Sequence, residues 1–393
     1  MEIRKLTADD YEELLEMLNR TFATSYGRPM DFLNELPKMW VKDDKQMGYH
    51  TGAFVDGKLV SVGGCYPLPM KIGDSSLLFA TTGNIATLPE YEGRGYFSKV
   101  FAELMKEVDE IGAVAARLGG RRQRYGRFGF EPSGMVYSVK FNEANRVKYF
   151  KDAGQDIEFR EIGREDTKLL AFCDELSRKS DFYMERSTED NYRDIYLSLC
   201  NKHSTPYVAL KNGEPVGYLA ASGDAYVGRC LDGYNIWEMR YTSIEHYVPM
   251  ICAWQRRINA DVSFKIAPFM KEELRLMIPA AEKLFIESPS HFKIVNYEKI
   301  ADALLKLKLS KQPLISGELV IGIEDYGNIR LFVDGKSAGC EKTDKAAEIT
   351  VDKFTATRVL FGYAPAVASI PADNPLISNW LPLPLSWCTL DYV

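Results

Sequence analysis

The sequence predicts an α+β protein in which two related mixed-sheet units stand in tandem and a third, smaller α+β unit follows. Three observations predict this fold. The length of 393 residues suits two or three domains. A weak repeat runs at a constant offset of 156 residues, and a series of short alternating strands begins after residue 291. The expected ranges of the three units are 1–147, 148–290 and 291–393.

The repeat involves a strand and a turn. Glu2-Ile3-Arg4 recurs as Glu158-Phe159-Arg160, and the turn Asp56-Gly57 recurs as Asn212-Gly213. In both copies a short strand leads into a capped amphipathic helix, and a hairpin with a two-residue turn follows. Two features at one offset indicate duplication of a β-α-β-β unit.

The third unit has its own pattern. Tyr297 to Leu307 reads as an amphipathic helix, Gly317 to Cys340 as a meander of strands, and Phe354 to Phe361 as a second helix. From Pro371 the chain is rich in Pro, Trp and Leu, and it ends in Trp387-Cys388-Thr389-Leu390-Asp391-Tyr392-Val393. We expect this apolar end to be buried, because large exposed apolar patches are rare on soluble proteins.

Composition excludes several classes of protein. The net charge of −6 and pI of about 5.5 argue against nucleic-acid binding. No stretch approaches the roughly 20 apolar residues that a membrane span needs, and the first residues lack the apolar core of a secretory signal. We therefore expect a water-soluble cytoplasmic protein with no membrane partner. The seven cysteines and four histidines lack the local spacings of a zinc site, so no metal is predicted, and all are expected to be packing or surface residues.

A glycine-rich turn in the first copy has the features of an anion-binding site. Thr87 ends a predicted strand, Gly93-Arg94-Gly95 forms the turn, and a helix follows from Lys99 to Ile111. Such a turn presents unpaired backbone N–H groups at the positive end of the helix dipole, which suits a pyrophosphate. At the same offset the second copy has Val248-Pro249-Met250, without glycine. Only the first copy is therefore expected to bind the anion.

A second block follows about thirty residues later, with Tyr125, Gly129, Phe130 and Glu131. The two blocks together resemble the GNAT superfamily of acetyltransferases. Glu92 and Phe97 depart from that pattern. Since an acidic side chain weakens anion binding, Glu92 is expected to point away, or the loop must rely on backbone amides and Arg94.

The three-unit layout narrows the resemblance. Arg94-Gly95-Tyr96-Phe97, the segment Arg124 to Phe130, Leu331 to Gly335 and the ending Asp391-Tyr392-Val393 resemble the Eis-like acetyltransferases. This resemblance implies two GNAT-type mixed-sheet α/β domains in tandem, the first active and the second degenerate, followed by a sterol-carrier-protein-like α+β domain. It also implies acetyl-CoA as co-substrate, a primary amine as acceptor (an aminoglycoside, a polyamine or a lysine-like group of a peptide) and a homo-oligomer, often a hexamer.

The resemblance also implies where acetyl-CoA binds and which group acts as acid. The coenzyme would lie where the strand Ala80 to Thr87 splays from its neighbour. Its expected contacts are Ile85, Ala86 and Thr87 for the pantetheine, and Gly93, Arg94, Gly95, Tyr96, Phe97 and Ser98 for the pyrophosphate. Tyr125 is the candidate general acid, because a phenol near pKa 10 can protonate a thiolate whose acid has a pKa near 8.5. The alternative is that Tyr125 only packs.

The general base implied by the resemblance is the terminal carboxylate of Val393. A carboxylate near pKa 3.5 is a poor base in water, so this role requires desolvation or a bridging water. Burial by the tail would provide the desolvation, whereas the alternative is that the tail only seals its domain. Tyr26, Trp40 and Asp391 are the candidates to line a pocket for a cationic amine.

Two questions remain open at this level. The basic cluster Arg117, Arg121, Arg122, Arg124 and Arg127 either neutralises the coenzyme phosphates or covers a solvated face. The rival function is a non-catalytic scaffold that binds an apolar ligand through the third unit, which Glu92 and Phe97 favour. The presence of Gly-Arg-Gly and Tyr125 in only one copy favours the enzyme.

Overall fold

A computed structural model describes residues 1–186, 190–222, 234–370 and 374–393. Pro371, named above, and Cys230, one of the seven cysteines, lie outside these ranges. Within them the chain is an α+β protein with three sheets, as the sequence predicts. In the same ranges no helix combines the length and apolar character needed to cross a bilayer.

The strands and helices follow in chain order. The strands are β1 (Glu2–Lys5), β2 (His50–Val55), β3 (Lys58–Ile72), β4 (Ser75–Thr87), β5 (Ala115–Leu118), β6 (Glu131–Ser133), β7 (Val136–Phe141), β8 (Ile157–Glu161), β9 (Phe182–Met184), β10 (Ser204–Lys211), β11 (Glu214–Ser222), β12 (Tyr234–Tyr241), β13 (Val262–Ile266), β14 (Lys283–Glu287), β15 (Ser290–Ile294), β16 (Gly317–Ile323), β17 (Gly327–Asp334), β18 (Ser337–Thr343) and β19 (Ile349–Val351). The α-helices are α1 (Tyr11–Tyr26), α2 (Phe32–Glu35), α3 (Asp44–Met47), α4 (Tyr96–Glu110), α5 (Arg122–Tyr125), α6 (Glu143–Phe150), α7 (Thr167–Arg178), α8 (Ile195–Leu199), α9 (Tyr247–Ile258), α10 (Lys271–Met277), α11 (Tyr297–Lys311), α12 (Lys353–Phe361) and α13 (Pro375–Trp380).

The predicted duplication is confirmed by strand register. Ile3 pairs with Ala53 between β1 and β2, and Phe159 pairs with Ala209 between β8 and β10, at the same offset of 156. Both hairpins that follow contain a β-bulge, after Ala53 in one copy and after Ala209 in the other. A shared bulge shows that the two copies have the same backbone path up to this point, because an extra residue changes the face of every side chain beyond it.

The constant offset of 156 residues ends at the loop before α4 in the first copy and before α9 in the second. In the first copy residues 88–95 connect β4 to α4, whereas residues 242–246 connect β12 to α9. The second loop is therefore shorter, and Val248 to Met250 lie inside α9 rather than in the turn. The expectation that these residues occupy the position of the glycine turn is wrong, since the corresponding part of the loop is missing from the second copy.

The two sheets exchange a strand. The first sheet has the order β1-β2-β3-β4-β5-β15-β6, with β9 paired to β3, and the second has the order β14-β7-β13-β12-β11-β10-β8. Strand β7 falls within the range predicted for the first unit, 1–147, but lies between β13 and β14 of the second sheet. Conversely, β15 follows the second unit but lies between β5 and β6. Each sheet is therefore completed by a strand from beyond its own part of the sequence.

The third unit is a four-stranded sheet with the order β18-β17-β16-β19, against which α11 packs. Its helices and meander lie where the sequence predicts them. The expected burial of the chain end is also confirmed. Trp380, Leu383, Leu385 and Leu390 are each fully buried. The tail is therefore part of the core.

A buried ion-pair network anchors the tail to the second sheet. The Arg186 guanidinium donates to both carboxylate oxygens of Glu238 at 2.9 and 2.8 Å, and to Asp391 at 2.9 Å. The Cys388 thiol contacts Glu238 at 3.0 Å, and the Tyr218 hydroxyl donates to the same carboxylate at 2.6 Å. All three charged side chains are at least 97% buried. Their charges can be stable there only while they remain paired.

Replacing Arg186 with Met is expected to lower the free energy of unfolding by about 3–5 kcal/mol, because two buried carboxylates lose their counter-charge. Urea denaturation followed by circular dichroism measures this change. The control is Lys179→Ala, which removes an exposed pair with Glu175 and should cost less than about 1 kcal/mol. Equal effects of the two variants would contradict the anchoring role.

Candidate active site

The candidate site lies where two parallel strands separate. Strands β4 and β5 pair only from Phe79 and Ala115 to Thr81 and Arg117. Beyond this point β4 continues to Thr87, while β5 ends at Leu118. A cavity of about 810 Å³ opens along the separated part of β4. Its size is in the range of small-molecule sites.

The edge of β4 that lines this cavity is distorted at Asn84. The register between β3 and β4 shifts after Val62, and Asn84 has a left-handed backbone with φ of 53°. Its side-chain amide donates to the Tyr66 hydroxyl at 2.7 Å, which in turn contacts His50 Nε2 at 2.7 Å. Burial lowers the pKa of His50 to about 4, so the ring is neutral at pH 7. This buried set of hydrogen bonds holds the bulge in place.

The glycine turn forms one end of the cavity. Gly93 and Gly95 have φ of 73° and 82°, which favours glycine, and a side chain at either position would meet open space. Gly95 is the N-cap of α4 and gives the helix no side-chain cap. The first N–H groups of α4 therefore face the open turn, as an anion site requires.

Arg94 in the turn and Ser98 at the start of α4 form their contacts outside the cavity. The Arg94 guanidinium donates to the Glu90 carbonyl at 3.0 Å and lies over the Tyr91 ring. The Ser98 hydroxyl accepts from Arg127 at 3.1 Å. Neither lines the cavity, whereas Glu92 is exposed at its mouth. Anion binding by this loop would therefore depend on its backbone amides.

Tyr125 lies in the wall of the cavity, at the end of α5. Its ring is packed among Phe97, Phe101 and Phe130, with centroid separations of 5.5 to 6.4 Å. Gly120 is needed for this packing, since a Cβ there would lie 2.6 Å from the Tyr125 ring. Burial raises the pKa of Tyr125, although Arg124 partly opposes this. The phenol is therefore protonated at neutral pH and can donate a proton.

The chain terminus reaches the same cavity. Tyr392 and Val393 line it, and a Cβ at position 83 would lie 2.5 Å from the Val393 carbonyl oxygen. The peptide before it is held by Asn201, whose amide donates to the carbonyls of Leu390 and Tyr392 at 3.0 and 2.9 Å. Lys38 also donates to Leu390, at 2.9 Å. The terminal carboxylate is thus fixed beside the distorted strand.

The structure brings together most of the residues that the sequence singled out. Those that line the cavity are Tyr26, Ile85, Ala86, Thr87, Gly93, Gly95, Tyr96, Phe97, Tyr125 and Val393. Arg94 and Ser98 lie beside it, for the reasons given above. Their roles, like those of the lining residues, stay predictions.

Trp40 and Asp391 do not reach the cavity lining. Trp40 is 8% exposed, donates from Nε1 to the Phe32 carbonyl at 2.6 Å and stacks on His50. Asp391 is 2% exposed, and its carboxylate is bound by Arg186. Both side chains are committed to the core, where sequence position alone gave no sign of their partners. Their placement does not support a pocket for a cationic amine.

The basic cluster divides into three groups. Arg121 and Arg124 line the cavity near Tyr125, and Arg117 lines it from within β5. Arg122 pairs with Glu131 at 2.7 Å, where Arg358 also binds. Arg127 binds Ser98, as described above. Three members therefore line the cavity and two are paired beside it, and a role with the coenzyme phosphates stays a prediction.

Sequence reasoning missed several lining residues. Gly83 and Asn84 precede the segment that was singled out, and Lys202 comes from the second unit. Asn84 carried a weak signal, because asparagine tolerates a left-handed backbone. Lys202 carried none, since its approach depends on how the second unit packs against the first.

The second copy has a different cleft. Its equivalent position beside β12, β13 and the start of α9 holds a cavity of only about 90 Å³. Tail residues Ser386 to Thr389 form part of its lining. The tail therefore occupies the space that stays open in the first copy, which agrees with the prediction of one binding unit and one degenerate unit.

Comparison with known families and structures identifies the domain. Residues 2–133 match the family described as an acetyltransferase (GNAT) domain. This match to the first part of the chain confirms the predicted class of enzyme. A search of curated proteins finds no significant match.

Several solved structures are similar over the whole chain. A probable N-acyltransferase from Enterococcus faecalis V583 has a TM-score of 0.67 at 16% identity and covers 100% of this chain and 99% of its own. A GCN5-related N-acetyltransferase from Kribbella flavida has a TM-score of 0.65 at 15% identity, with 100% of both chains covered. Eis1 from Mycobacterium abscessus has a TM-score of 0.64 at 14% identity, with 99% of this chain and 98% of its own covered. These similarities confirm the predicted fold class.

Gly83→Ala is expected to displace the chain terminus, because the new Cβ would overlap the Val393 carbonyl. Carboxypeptidase should then release Val393 at least about tenfold faster than from the parent protein, as expected if the terminus loses about 1.4 kcal/mol of contact energy. The control is Gly119→Ala, where a Cβ meets open space and no positive φ is needed. A crystal structure of the Gly83→Ala variant in which Val393 has not moved would refute this expectation.

Proposed function

We propose that this protein transfers the acetyl group of acetyl-CoA to a primary amine by direct attack, with Tyr125 as general acid and the carboxylate of Val393 as base. One observation carries the proposal. A single cavity is lined at once by the uncapped glycine turn before α4, by the Tyr125 ring and by the chain terminus. These are the three functions that the reaction needs: an anion site, a proton donor and a proton acceptor.

The donor half of the proposal rests on backbone groups. The coenzyme pyrophosphate would bind the first amides of α4, and Gly93 and Gly95 leave room for it. The pantetheine would pair with Ile85, Ala86 and Thr87 along the separated part of β4. An amide of this strand would face the thioester oxygen and stabilise the charge that develops there.

The acceptor half rests on the terminal carboxylate of Val393 and the hydroxyl of Tyr125. As the amine nitrogen forms a bond to the thioester carbon, the Val393 carboxylate takes a proton from the nitrogen. The carbon–sulfur bond breaks, and the Tyr125 hydroxyl protonates the departing thiolate. Tyr125 is buried and Val393 is half-buried, which limits the water that can compete for the acyl group.

Coenzyme A release, followed with a thiol reagent, tests the reaction across a panel of aminoglycosides, polyamines, amino acids and lysine peptides. At least one amine is expected to be acetylated, and acetyl-CoA is expected to raise the melting temperature. If no amine reacts and acetyl-CoA leaves the melting temperature unchanged, the alternative of a ligand-binding scaffold is favoured.

Tyr125→Phe is expected to lower kcat by about 10²-fold or more, since it removes the proton donor and keeps the ring that packs against Phe97 and Phe101. The KM for acetyl-CoA should change little. Steady-state kinetics measures both quantities. An unchanged kcat would exclude Tyr125 from the mechanism.

Moving the terminal carboxylate is expected to lower kcat about as much as Tyr125→Phe does. Deleting Tyr392 and Val393, or adding one glycine after Val393, should lower kcat by about 10²-fold. The control is one glycine added before Met1, which is 60% exposed. Full activity in a folded protein with a shifted terminus would show that the tail only seals the domain.

Three further parts of the proposal concern the whole molecule. The third unit would be a sterol-carrier-protein-like domain, which its four-stranded sheet and the packing of α11 support. The ranges 1–147, 148–290 and 291–393 would mark the three domains, with β7 and β15 exchanged between the first two sheets. The protein would act in the cytoplasm as a homo-oligomer, in the hexameric state that the family resemblance implies.

A further inference from the structure

A buried cation, Arg117, and a half-buried one, Lys202, line the cavity, and the proposed mechanism uses neither of them. Arg117 is 1% exposed and comes from β5. Lys202 comes from the turn before β10. Both line the cavity together with Tyr392 and Val393. The guanidinium carbon of Arg117 lies 3.5 Å from the centre of the Tyr392 ring, and the Lys202 ammonium lies 5.9 Å from it.

Arg117 has an unused hydrogen-bond donor. Its Nε donates to the Ser290 hydroxyl at 2.8 Å, and Nη1 donates to the Thr81 hydroxyl at 3.4 Å. Nη2 is buried and has no hydrogen-bond partner among the described residues. An unpaired buried donor costs about 1–3 kcal/mol, and more when it belongs to a charged group. The Tyr392 ring covers this guanidinium, so a ligand that displaces the ring would supply the missing acceptor.

Lys202 is held in an unfavourable position. Its backbone is left-handed with φ of 60°, which is uncommon for a lysine and is typical of functional sites. Burial, and then the charge of Arg117, lowers the pKa of Lys202 to about 8, against a raising effect of Glu35. In the described part of the chain, no carboxylate lies within 4.0 Å of its ammonium.

The fixed charges around these two cations do not balance. The Glu35 carboxylate already pairs with Arg28 at 3.0 Å, and Asp391, whose charge acts on Arg117, is already bound by Arg186 at 2.9 Å. The terminal carboxylate of Val393 then supplies one negative charge against the two positive charges of Arg117 and Lys202. Buried like charges repel one another strongly, so this end of the cavity favours an added anion.

We propose that the acceptor amine also carries an anionic group, a carboxylate or a phosphate, and that this group binds between Arg117 and Lys202. This inference rests on the proposed function, because it names the class of acceptor for the same site. An anion there would accept from the free Nη2 of Arg117 and would pair with the ammonium of Lys202. A polyamine or an aminoglycoside would instead bring further positive charge to two unpaired cations. The acceptor is therefore an amino acid, a peptide or an amino-sugar phosphate rather than a polycation.

Matched acceptors that differ only in the anionic group test this inference. Lysine is compared with cadaverine, which lacks the carboxylate, and glucosamine 6-phosphate is compared with glucosamine. We expect kcat/KM to be at least about tenfold higher for the anionic member of one pair, equivalent to about 1.4 kcal/mol. The pair that shows the preference tells a carboxylate from a phosphate. A preference for the uncharged or cationic member of both pairs would overturn the inference and leave the proposed function intact.

Variants at Lys202 assign the effect to the side chain. Lys202→Met should raise KM for the favoured anionic acceptor by about tenfold and leave its cationic or neutral counterpart unchanged or improved. Lys202→Arg should retain the preference. Lys211→Met, on the neighbouring strand β10, is the matched control and should change neither value, because Lys211 pairs with Asp156 outside the cavity. Loss of both acceptors in parallel would indicate a structural role only.

Binding of anions alone separates this inference from the reaction. Protein saturated with coenzyme A, so that the glycine turn is filled, is titrated calorimetrically with succinate and with inorganic phosphate. One of the two is expected to bind, and Lys202→Met should weaken that binding by about tenfold. If no amine is acetylated but this binding is seen, the result supports the anion site and contradicts the proposed acetyl transfer. If neither anion binds and no anionic amine is preferred, the inference is overturned.

Discussion

The placement of the chain terminus in the cavity depends on one buried ion-pair network. Arg186 lies between the carboxylates of Glu238 and Asp391, and these three side chains have almost no contact with water. A buried charge is tolerated only with its partners in place, so the network has essentially one arrangement. Because Asp391 is two residues from Val393, that arrangement also fixes where the chain ends. A group on the second sheet thereby sets the geometry of a cavity in the first.

The two copies share a fold through duplication but differ in their clefts. The copies agree in strand register through their first hairpins, including the position of the bulge. They diverge at the loop before the central helix, which is shorter in the second copy and lacks the two left-handed glycines. The cleft behind this shorter loop is also narrower, at about 90 Å³ against about 810 Å³. The tail fills it, and continues from there to the open cleft of the first copy.

Local sequence predicted much of this fold and part of the candidate site. The repeat, the turns, the uncapped helix start and the burial of the apolar tail follow from periodicity and turn chemistry within a few residues of one another. The exchange of β7 and β15 does not, since strand pairing over more than 100 residues leaves no local pattern. Trp40 and Asp391 were assigned to the pocket for the same reason that Lys202 was missed. Whether a polar side chain faces a cavity or a buried partner is decided by packing between units.

The two clefts also differ in the polar residue that shapes the edge of each. In the first copy this residue is Asn84 in β4, whose amide donates to a tyrosine hydroxyl on the neighbouring strand at 2.7 Å. In the second it is Glu238 in β12, whose carboxylate accepts from a tyrosine hydroxyl on the neighbouring strand at 2.6 Å. The amide needs no counter-charge, whereas the buried carboxylate requires a cation, which Arg186 supplies. Because Arg186 also binds Asp391, the charge of Glu238 holds the tail whose end reaches the cavity of the first copy.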